Sequence, residues 1–132
     1  MAHAIRRADR VVSQLYNEHL APLGLRVTQF SVLRALDIQG TTTASQVQEL
    51  LVMDQTTVSR ALKPLIRDGY ISVAEGATKR EKSLSLSAKG KKLYDQACGP
   101  WSEAQRVFRK KLGKGQDDLL IELSRQVVTM KT

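Results

Sequence analysis

Residues 54–69 combine two faces of opposite chemistry on one predicted helix, and this pattern constrains the fold more than any other in the chain. At about 100° per residue, the polar face carries hydroxyl and cationic side chains, namely Thr56, Arg60, Lys63 and Arg67. The opposite face is aliphatic and carries Val58, Ala61, Leu62 and Leu65. Such a helix is held down on one side and presents donors on the other. The pattern is typical of a DNA recognition helix, which lies against phosphates and base edges.

The two ends of this recognition helix are marked by residues that suit helix ends. Asp54 suits the N-cap, because its carboxylate can accept from the free amides of the first turn. Gly69 suits the C-terminal stop, because glycine adopts the left-handed conformation most easily. Pro64 lies inside the helix and removes a backbone donor, so we expect the helix to bend after its second turn.

The chain before the recognition helix predicts three further helices. The first is expected over residues 4–21, and Pro22 and Gly24 directly after this range end it. Thr28 is the expected N-cap of the second helix, which closes at Gly40.

The third predicted helix begins with a capping box, in which the hydroxyl of Thr43 is followed three residues later by Gln46. Its apolar side consists of Val47, Leu50 and Leu51, which we expect to be buried. A turn of two or three residues then leads into the recognition helix, so the two together predict a helix–turn–helix.

After the recognition helix, the apolar period changes to that of a strand. Residues 70–74 and 82–86 predict two short strands around a polar turn that contains Gly76. Ser87 then caps a long helix that runs to about Lys111. A hairpin directly after a helix–turn–helix is the winged-helix arrangement.

The C-terminal part of the chain predicts helices without an evident core of their own. Pro100 interrupts the long helix, and residues 113–115 separate it from a last amphipathic helix over residues 116–130. We expect the helices at both chain ends to pack against a second copy of the chain. The predicted fold class is mainly α with a small β-hairpin (α+β), a winged helix-turn-helix with N- and C-terminal dimerisation helices.

Composition and motifs narrow the function. The 132 residues suffice for one domain, and 21 Lys and Arg against 13 Asp and Glu give a net charge of +8, which favours nucleic acid as a partner. The single cysteine, Cys98, excludes an internal disulfide and a cysteine-built zinc site, and no metal or cofactor is expected. With no long apolar run and no secretory signal, we expect a cytoplasmic protein. No P-loop, dinucleotide fingerprint or nucleophile elbow is present, so we do not expect an enzyme.

Over nearly its whole length, the sequence resembles the MarR family of bacterial transcriptional regulators. Residues 20–36 are similar to the junction of the family's first two helices, and residues 45–71 to its helix–turn–helix. Residues 79–90 resemble its wing and the return into the long helix. The family's wing often has the form Asp-x-Arg-Asp-x-Arg, of which residues 75–80 keep only an acidic first residue and the last arginine.

The resemblance implies an organisation and a function for the chain. Residues 1–132 would form a single MarR-like unit, with the winged helix-turn-helix DNA-binding portion at residues 28–86 and the dimerisation helices at residues 1–24 and 88–132. It further implies a homodimeric repressor that a small-molecule effector releases from DNA, with an effector pocket between the dimer helices and the winged domain.

The predicted DNA contacts come from the recognition helix, the start of the third helix and the wing. Arginine can bridge O6 and N7 of guanine, glutamine can pair with adenine in the same bidentate manner, and a wing arginine is attracted to a narrow minor groove. At the start of the third helix, phosphate contact and helix capping both remain open. The full set is Ser45, Gln46, Gln55, Thr56, Thr57, Ser59, Arg60, Lys63, Arg67, Lys79, Arg80 and Lys82.

Four further expectations concern partners and alternatives. The candidates for an effector pocket, which core packing explains equally well, are Tyr16, His19, Phe30 and Trp101. The expected DNA partner is a pseudo-palindromic duplex operator whose half-site centres are about 10 base pairs apart. One alternative is a redox-responsive regulator acting through Cys98, although its apolar spacing from Tyr94 favours a buried hydrophobe. Another is a winged-helix interaction module that does not read sequence.

Overall fold

The computed structural model describes residues 1–76 and 81–131, and in this part of the chain it contains helices and one two-stranded antiparallel sheet. The helices are α1 (Ala2–Leu20), α2 (Val27–Gln39), α3 (Ala44–Leu51), α4 (Gln55–Arg67), α5 (Ala88–Lys111) and α6 (Gln116–Val128), with a 3₁₀ turn at Ala21–Leu23. The strands are β1 (Ile71–Glu75) and β2 (Lys82–Leu86). The predicted fold class and order of elements are confirmed, and the predicted bounds lie close to the observed ones.

The start of α2 differs from the prediction, because Thr28 is not its N-cap. The helix begins at Val27, whose amide donates to Asn17 Oδ1 of α1 at 2.7 Å. The amide of the preceding residue, Arg26, donates to Gln29 Oε1 at 3.0 Å. Two amide side chains, one of them from another helix, therefore satisfy free backbone amides at the start of α2.

The predicted capping box of α3 is confirmed. The Gln46 amide donates to Thr43 Oγ1 at 3.2 Å, and the Thr43 amide donates to Gln46 Oε1 at 3.1 Å. Val47 is buried as expected, but the prediction for Leu50 is wrong, because its side chain is 51% exposed. This two-turn helix packs against α2 and α4 along one narrow stripe, and Leu50 lies outside that stripe.

The turn between α3 and α4 contains a strained residue. Val52 has φ 54° and ψ 48°, a left-handed conformation that is unusual for a β-branched side chain. The next amide, that of Met53, donates to Gln48 O at 3.0 Å and closes the end of α3. The chain therefore reverses sharply here and leads directly into α4.

The core lies around α2 and joins it to α3, α4, the sheet and the first half of α5. Its buried apolar residues are Leu20, Leu25, Phe30, Val32, Leu33, Leu36, Val47, Val58, Ala61, Leu62, Leu65, Ile71, Leu84, Leu93 and Ala97. The expectation that the terminal helices have no core of their own is wrong for the end of α1 and for α5, because Leu20, Leu93 and Ala97 belong to this core. It holds for α6, which has no buried residue.

The sheet is anchored to the segment between α2 and α3. Within the sheet, Ile71 lies opposite Leu86, and Glu75 lies opposite Lys82. Thr42 adds a short bridge to the other edge of β2, because its N–H donates to Leu84 O at 3.0 Å and its carbonyl oxygen accepts from Leu84 N at 2.7 Å. The base of the wing is thereby tied to the residues that precede α3.

The first turn of α5 closes the C-terminal end of α4. Lys89 Nζ donates to Asp68 O at 2.6 Å, and Ser87 Oγ donates to Gly69 O at 2.6 Å. The Ser87 hydroxyl also accepts from the Gly90 amide at 3.0 Å, which confirms its predicted role as the N-cap of α5. One serine therefore serves the end of α4 and the start of α5, so the two helices are joined closely.

We predict that Gly90→Ala weakens this joint, because a β-carbon at Gly90 would overlap the carbonyl oxygen of Tyr70. Overpacking of this kind lowers the free energy of unfolding by about 1–3 kcal/mol. Gly99→Ala on the same helix is the matched control, since a β-carbon there meets no atom within 4 Å. The control should gain about 0.5–1 kcal/mol from helix propensity. Urea unfolding of both variants measures this, and equal effects would contradict the prediction.

Candidate nucleic-acid interface

Helix α4 is fixed at both of its ends. Asp54 Oδ1 accepts from the Thr57 backbone amide at 2.7 Å, which confirms the predicted N-cap. Because this amide stabilises the ionised form, it holds the pKa of the Asp54 carboxyl below its ordinary value. Beyond the other end, Gly69 has φ 80°, the left-handed conformation expected of the stop. The cap and the stop therefore define where α4 begins and ends.

The two faces of α4 separate as the sequence predicts. The aliphatic side chains are at most 7% exposed, and they are Val58, Ala61, Leu62 and Leu65. The polar side chains that are exposed are Gln55, Thr56, Ser59, Arg60, Lys63 and Arg67. Thr57 is half-buried beside the N-cap. Pro64 lies within the helix, which continues to Arg67.

Most of the exposed side chains of α4 are open for a ligand. Within residues 1–76 and 81–131, the side chains of Gln55, Arg60 and Lys63 make no hydrogen bond or ion pair. Arg67 differs, because its Nε and Nη2 donate to the two carboxylate oxygens of Asp68 at 3.1 and 3.3 Å. These bonds hold the pKa of the Asp68 carboxyl below its ordinary value. The free cations therefore lie toward the middle of α4, and the cation at its end is paired.

The start of α3 brings Ser45 and Gln46 to the protein surface. Both residues are exposed, and Ser45 has no hydrogen bond to another described side chain. Gln46 Oε1 also accepts from the hydroxyl of Thr42 at 2.7 Å. Thr42 is 4% exposed, and sequence reasoning missed its role. The signal for it was the capping box directly downstream, but its pairing with β2 was not visible in the local sequence.

A groove of about 500 Å³ separates the start of α3 and the body of α4 from the base of the wing. Its lining residues are Thr43, Ala44, Ser45, Leu62, Ile66, Val73, Glu81, Lys82 and Leu84. Sequence reasoning also missed Ile66 and Val73, apolar side chains that remain 38% and 40% exposed. Lys82 is exposed on this groove, whereas Lys79 and Arg80 lie outside the described residues. Of the predicted contacts, Ser45 on α3 and Lys82 on β2 therefore line this groove, whereas α4 contributes Leu62 and Ile66 and its predicted contacts lie elsewhere on the helix.

Three of the four candidate effector residues lie together in an aromatic cluster between α1, α2 and α5. The ring of Trp101 lies 5.7 Å from that of Tyr16 and 5.4 Å from that of Phe30. Phe30 is 2% exposed and stacks on Tyr94 at 5.5 Å. Burial raises the pKa of the Tyr16 phenol. Packing of these rings accounts for their position, and the groove described above is lined by other residues.

The remaining candidates have local roles. His19 Nδ1 lies 2.9 Å from Leu15 O, one turn back on the same helix. Cys98 is half-buried and packs against the core. Among the described residues, no group of His, Cys, Asp and Glu side chains has the arrangement to hold a metal ion. None of the described helices is long and apolar enough to span a membrane.

The sequence has relatives among transcriptional regulators. The model of the MarR family matches residues 23–81, from the junction of α1 and α2 to the residue before β2. YwoH of Bacillus subtilis, an uncharacterised HTH-type transcriptional regulator, is 32% identical over 96 residues. That alignment covers 73% of this chain and 70% of YwoH.

Solved structures share the fold over almost the whole chain. The M. tuberculosis transcriptional regulator MOSR, determined in complex with DNA, superposes with a TM-score of 0.83 at 28% identity, covering 100% of this chain and 98% of MOSR. BpsR of Bordetella bronchiseptica, whose DNA binding is regulated by 6-hydroxynicotinic acid, superposes with a TM-score of 0.86 at 22% identity. Here 96% of this chain and 91% of BpsR are covered.

We predict that Asp54→Ala lowers the midpoint of thermal unfolding at pH 7 by about 3–6 °C, as loss of an N-cap does. Asp54→Asn keeps an acceptor for the Thr57 amide and should lose less. Since the folded-state pKa of Asp54 is lowered, its stabilisation is present above its unfolded pKa, about 3.9, and is lost as the pH falls through the folded value. The gap between wild type and Asp54→Ala should therefore narrow below about pH 4. Calorimetry at several pH values measures it, and a constant gap would contradict the assignment.

Proposed function

Because this chain belongs to the MarR family of transcriptional regulators, we propose that it binds duplex DNA in a sequence-specific manner through α4. The observation that carries the proposal is the contrast between the two faces of this helix. Its aliphatic face is buried, and Arg60 and Lys63 on the other face form no ion pair within 4.0 Å among the described residues. MOSR, which shares the fold, was determined in complex with DNA.

The proposed contacts divide by chemistry and position. Side chains in the first two turns of α4 suit base edges in the major groove, with Arg60 directed at a guanine. Lys63 and Arg67 lie farther along the helix and suit phosphates. The proposal also includes the exposed donors of α3 and the cations of the wing sequence. The complete set is Ser45, Gln46, Gln55, Thr56, Thr57, Ser59, Arg60, Lys63, Arg67, Lys79, Arg80 and Lys82.

The second part of the proposal is a twofold homodimer formed by the terminal helices. No residue of α6 is buried within the chain, and Leu119, Leu123 and Val127 are 56%, 49% and 49% exposed. At the other end of the chain, Ile5 of α1 is 50% exposed. An apolar surface of this extent is typical of a protein–protein interface. A twofold dimer presents two α4 helices to successive major grooves and so binds a pseudo-palindromic operator.

The third part of the proposal is that the protein is a repressor released by a small-molecule effector. BpsR offers support, since 6-hydroxynicotinic acid regulates its DNA binding. We place the effector beside the aromatic cluster, with Tyr16, His19, Phe30 and Trp101 as its candidate contacts. This cluster lies where α1 and α5 meet α2, so a ligand there would change how the proposed dimer helices sit on the DNA-binding unit. Titration with aromatic carboxylates, monitored by the fluorescence of Trp101, tests whether a ligand binds at this cluster. A DNA-binding titration in the presence of the same compounds then tests whether the ligand releases the operator.

We predict that Arg60→Ala weakens operator binding by about 1–3 kcal/mol and relaxes base preference mainly at one position per half-site. Arg106→Ala removes the same charge from α5, where Arg106 is paired with Glu103 at 2.6 Å, and serves as the matched control. Selection of bound duplexes from a randomised pool gives the operator, and binding titrations at fixed salt give the affinities. Equal loss on operator and random DNA would show that Arg60 contacts only phosphate. A wild-type protein without any sequence preference would refute the proposed function.

We predict that Leu123→Lys raises the dimer dissociation constant at least about tenfold, because it exchanges buried apolar area for a desolvated charge in both copies. Ile38→Lys on α2 is the control, since Ile38 is 64% exposed and lies on the DNA-binding unit. Sedimentation equilibrium at micromolar concentration measures the constant. A wild-type monomer, or equal effects of the two substitutions, would exclude α6 from the interface.

A further inference from the structure

Two glutamines, Gln46 and Gln55, lie on the proposed DNA-binding surface. Their side-chain amides differ in which atoms are still free to form a hydrogen bond with DNA. Oε1 of Gln46 on α3 accepts from the Thr43 amide at 3.1 Å and from Thr42 Oγ1 at 2.7 Å. A backbone N–H only donates, so the atom that faces the Thr43 amide has to be the oxygen. The side-chain amide of Gln46 therefore has one orientation, with Oε1 turned inward.

The inward partner of Gln46 is itself held in place. Thr42 is 4% exposed, and its backbone forms two hydrogen bonds with Leu84 of β2, at 3.0 and 2.7 Å. A buried hydroxyl that lost its partner would have a desolvation penalty of about 1–3 kcal/mol. Both the buried hydroxyl of Thr42 and the side-chain oxygen of Gln46 therefore gain from this hydrogen bond. In a flipped amide, the NH₂ group of Gln46 would face the N–H of Thr43, and two donors would oppose each other.

The oxygen of Gln46 has no capacity left for DNA, whereas its nitrogen does. A carbonyl oxygen has two lone pairs, and both are engaged. In residues 1–76 and 81–131, Nε2 of Gln46 has no hydrogen-bond partner, and the side chain is exposed. Gln46 can therefore donate to an acceptor outside the protein but cannot accept from one.

Gln55, the first residue of α4, is in the opposite situation. Its side chain is exposed, and neither end of its amide is engaged by the part of the chain that the structure describes. Bidentate recognition of adenine needs both ends, because the oxygen accepts from N6 while the nitrogen donates to N7. Gln55 meets this requirement, and Gln46 does not.

We propose, building on the DNA binding proposed above, that Gln46 donates from Nε2 to a DNA phosphate and contributes nothing to base discrimination. Thr42 is then a positioning residue, since its hydroxyl adds a second hydrogen bond to the oxygen that the Thr43 N–H already turns inward and so holds the Gln46 side chain in place. Base reading by glutamine falls to Gln55 alone. The side chain of Gln46 thus both caps α3 and contacts a phosphate. Because capping occupies its oxygen, only its nitrogen is available for the phosphate.

The decisive variant is Gln46→Glu. Glutamate at this position keeps the acceptor of the capping box, so we expect thermal unfolding close to that of wild type. It removes the Nε2 donor and places a negative charge near the phosphate. We therefore expect affinity to fall about tenfold or more, equally on operator and random duplex, with an unchanged base-preference profile.

Gln48→Glu is the matched control, because it makes the same charge change on the same helix outside the capping box. Its loss should stay below about threefold, as expected for a charge at a distance from the phosphates. An equal loss for the two variants would overturn the proposed contact. A changed preference at one operator position after Gln46→Glu would also overturn it, for example a gain of cytosine, whose N4 donates to a carboxylate.

The role of Thr42 is tested by a pair of substitutions. Thr42→Val keeps the shape of the side chain but removes the hydroxyl, and Thr42→Ser keeps the hydroxyl. We expect Thr42→Val to weaken binding several-fold on all duplexes and Thr42→Ser to bind like wild type. The two variants are compared under conditions in which the same fraction of each is folded. Wild-type affinity in Thr42→Val would refute the positioning role. If the wild-type protein shows no sequence preference, only the proposed function is refuted. The phosphate contact of Gln46 is still tested, because the affinity for random duplex is measured as well.

Discussion

Burial of the aliphatic face of α4 is the interaction on which the rest of the structure depends. Val58, Ala61 and Leu65 join α4 to the core around α2, and this contact turns Arg60 and Lys63 toward solvent. Burial of one valine or leucine side chain contributes about 1.5–3 kcal/mol, which exceeds what an N-cap typically contributes. Hydrophobic packing therefore sets which face of the helix is exposed, and the cap and the stop set where the helix begins and ends.

The second constraint is that the recognition helix is closely joined to the elements on either side of it. Ser87 and Lys89 of α5 bind the carbonyls that follow α4, and Thr42 ties the start of α3 to β2. These hydrogen bonds lie at the edge of the core, where each contributes about 1 kcal/mol. Their effect is geometric, because they hold the helix–turn–helix, the wing and the long helix in one arrangement. The end of α4 and the start of α5 are therefore held in one relative position.

Most of the fold could be predicted because its signals are local. The period of α4, the cap at Asp54, the capping box at Thr43 and the cap at Ser87 each depend on residues within one helical turn. The features that could not be predicted depend on distant parts of the chain. Asn17 on α1 caps α2, and Thr42 pairs with β2, so neither role has a signature in the surrounding sequence. The candidate site follows the same division, since the polar face of α4 was visible in the sequence, whereas the orientation of the Gln46 amide required the packed structure.

The apolar side chains that remain exposed on α6 suggest a division of roles in DNA binding. Base specificity and the spacing between two half-sites can depend on different helices of this chain. In the complex that we propose, side chains of α4 determine which bases are read, but they cannot determine how far apart two half-sites lie. In the dimer that we propose, that distance is set by α1, α5 and α6, because these helices relate one copy of α4 to the other. The exposed stripe of α6 gains about 25 cal/mol per Å² when it is covered, so association supplies the free energy that holds the spacing. In the same proposal, a ligand that alters the packing of the terminal helices would change the fit to an operator without contacting a residue that reads bases.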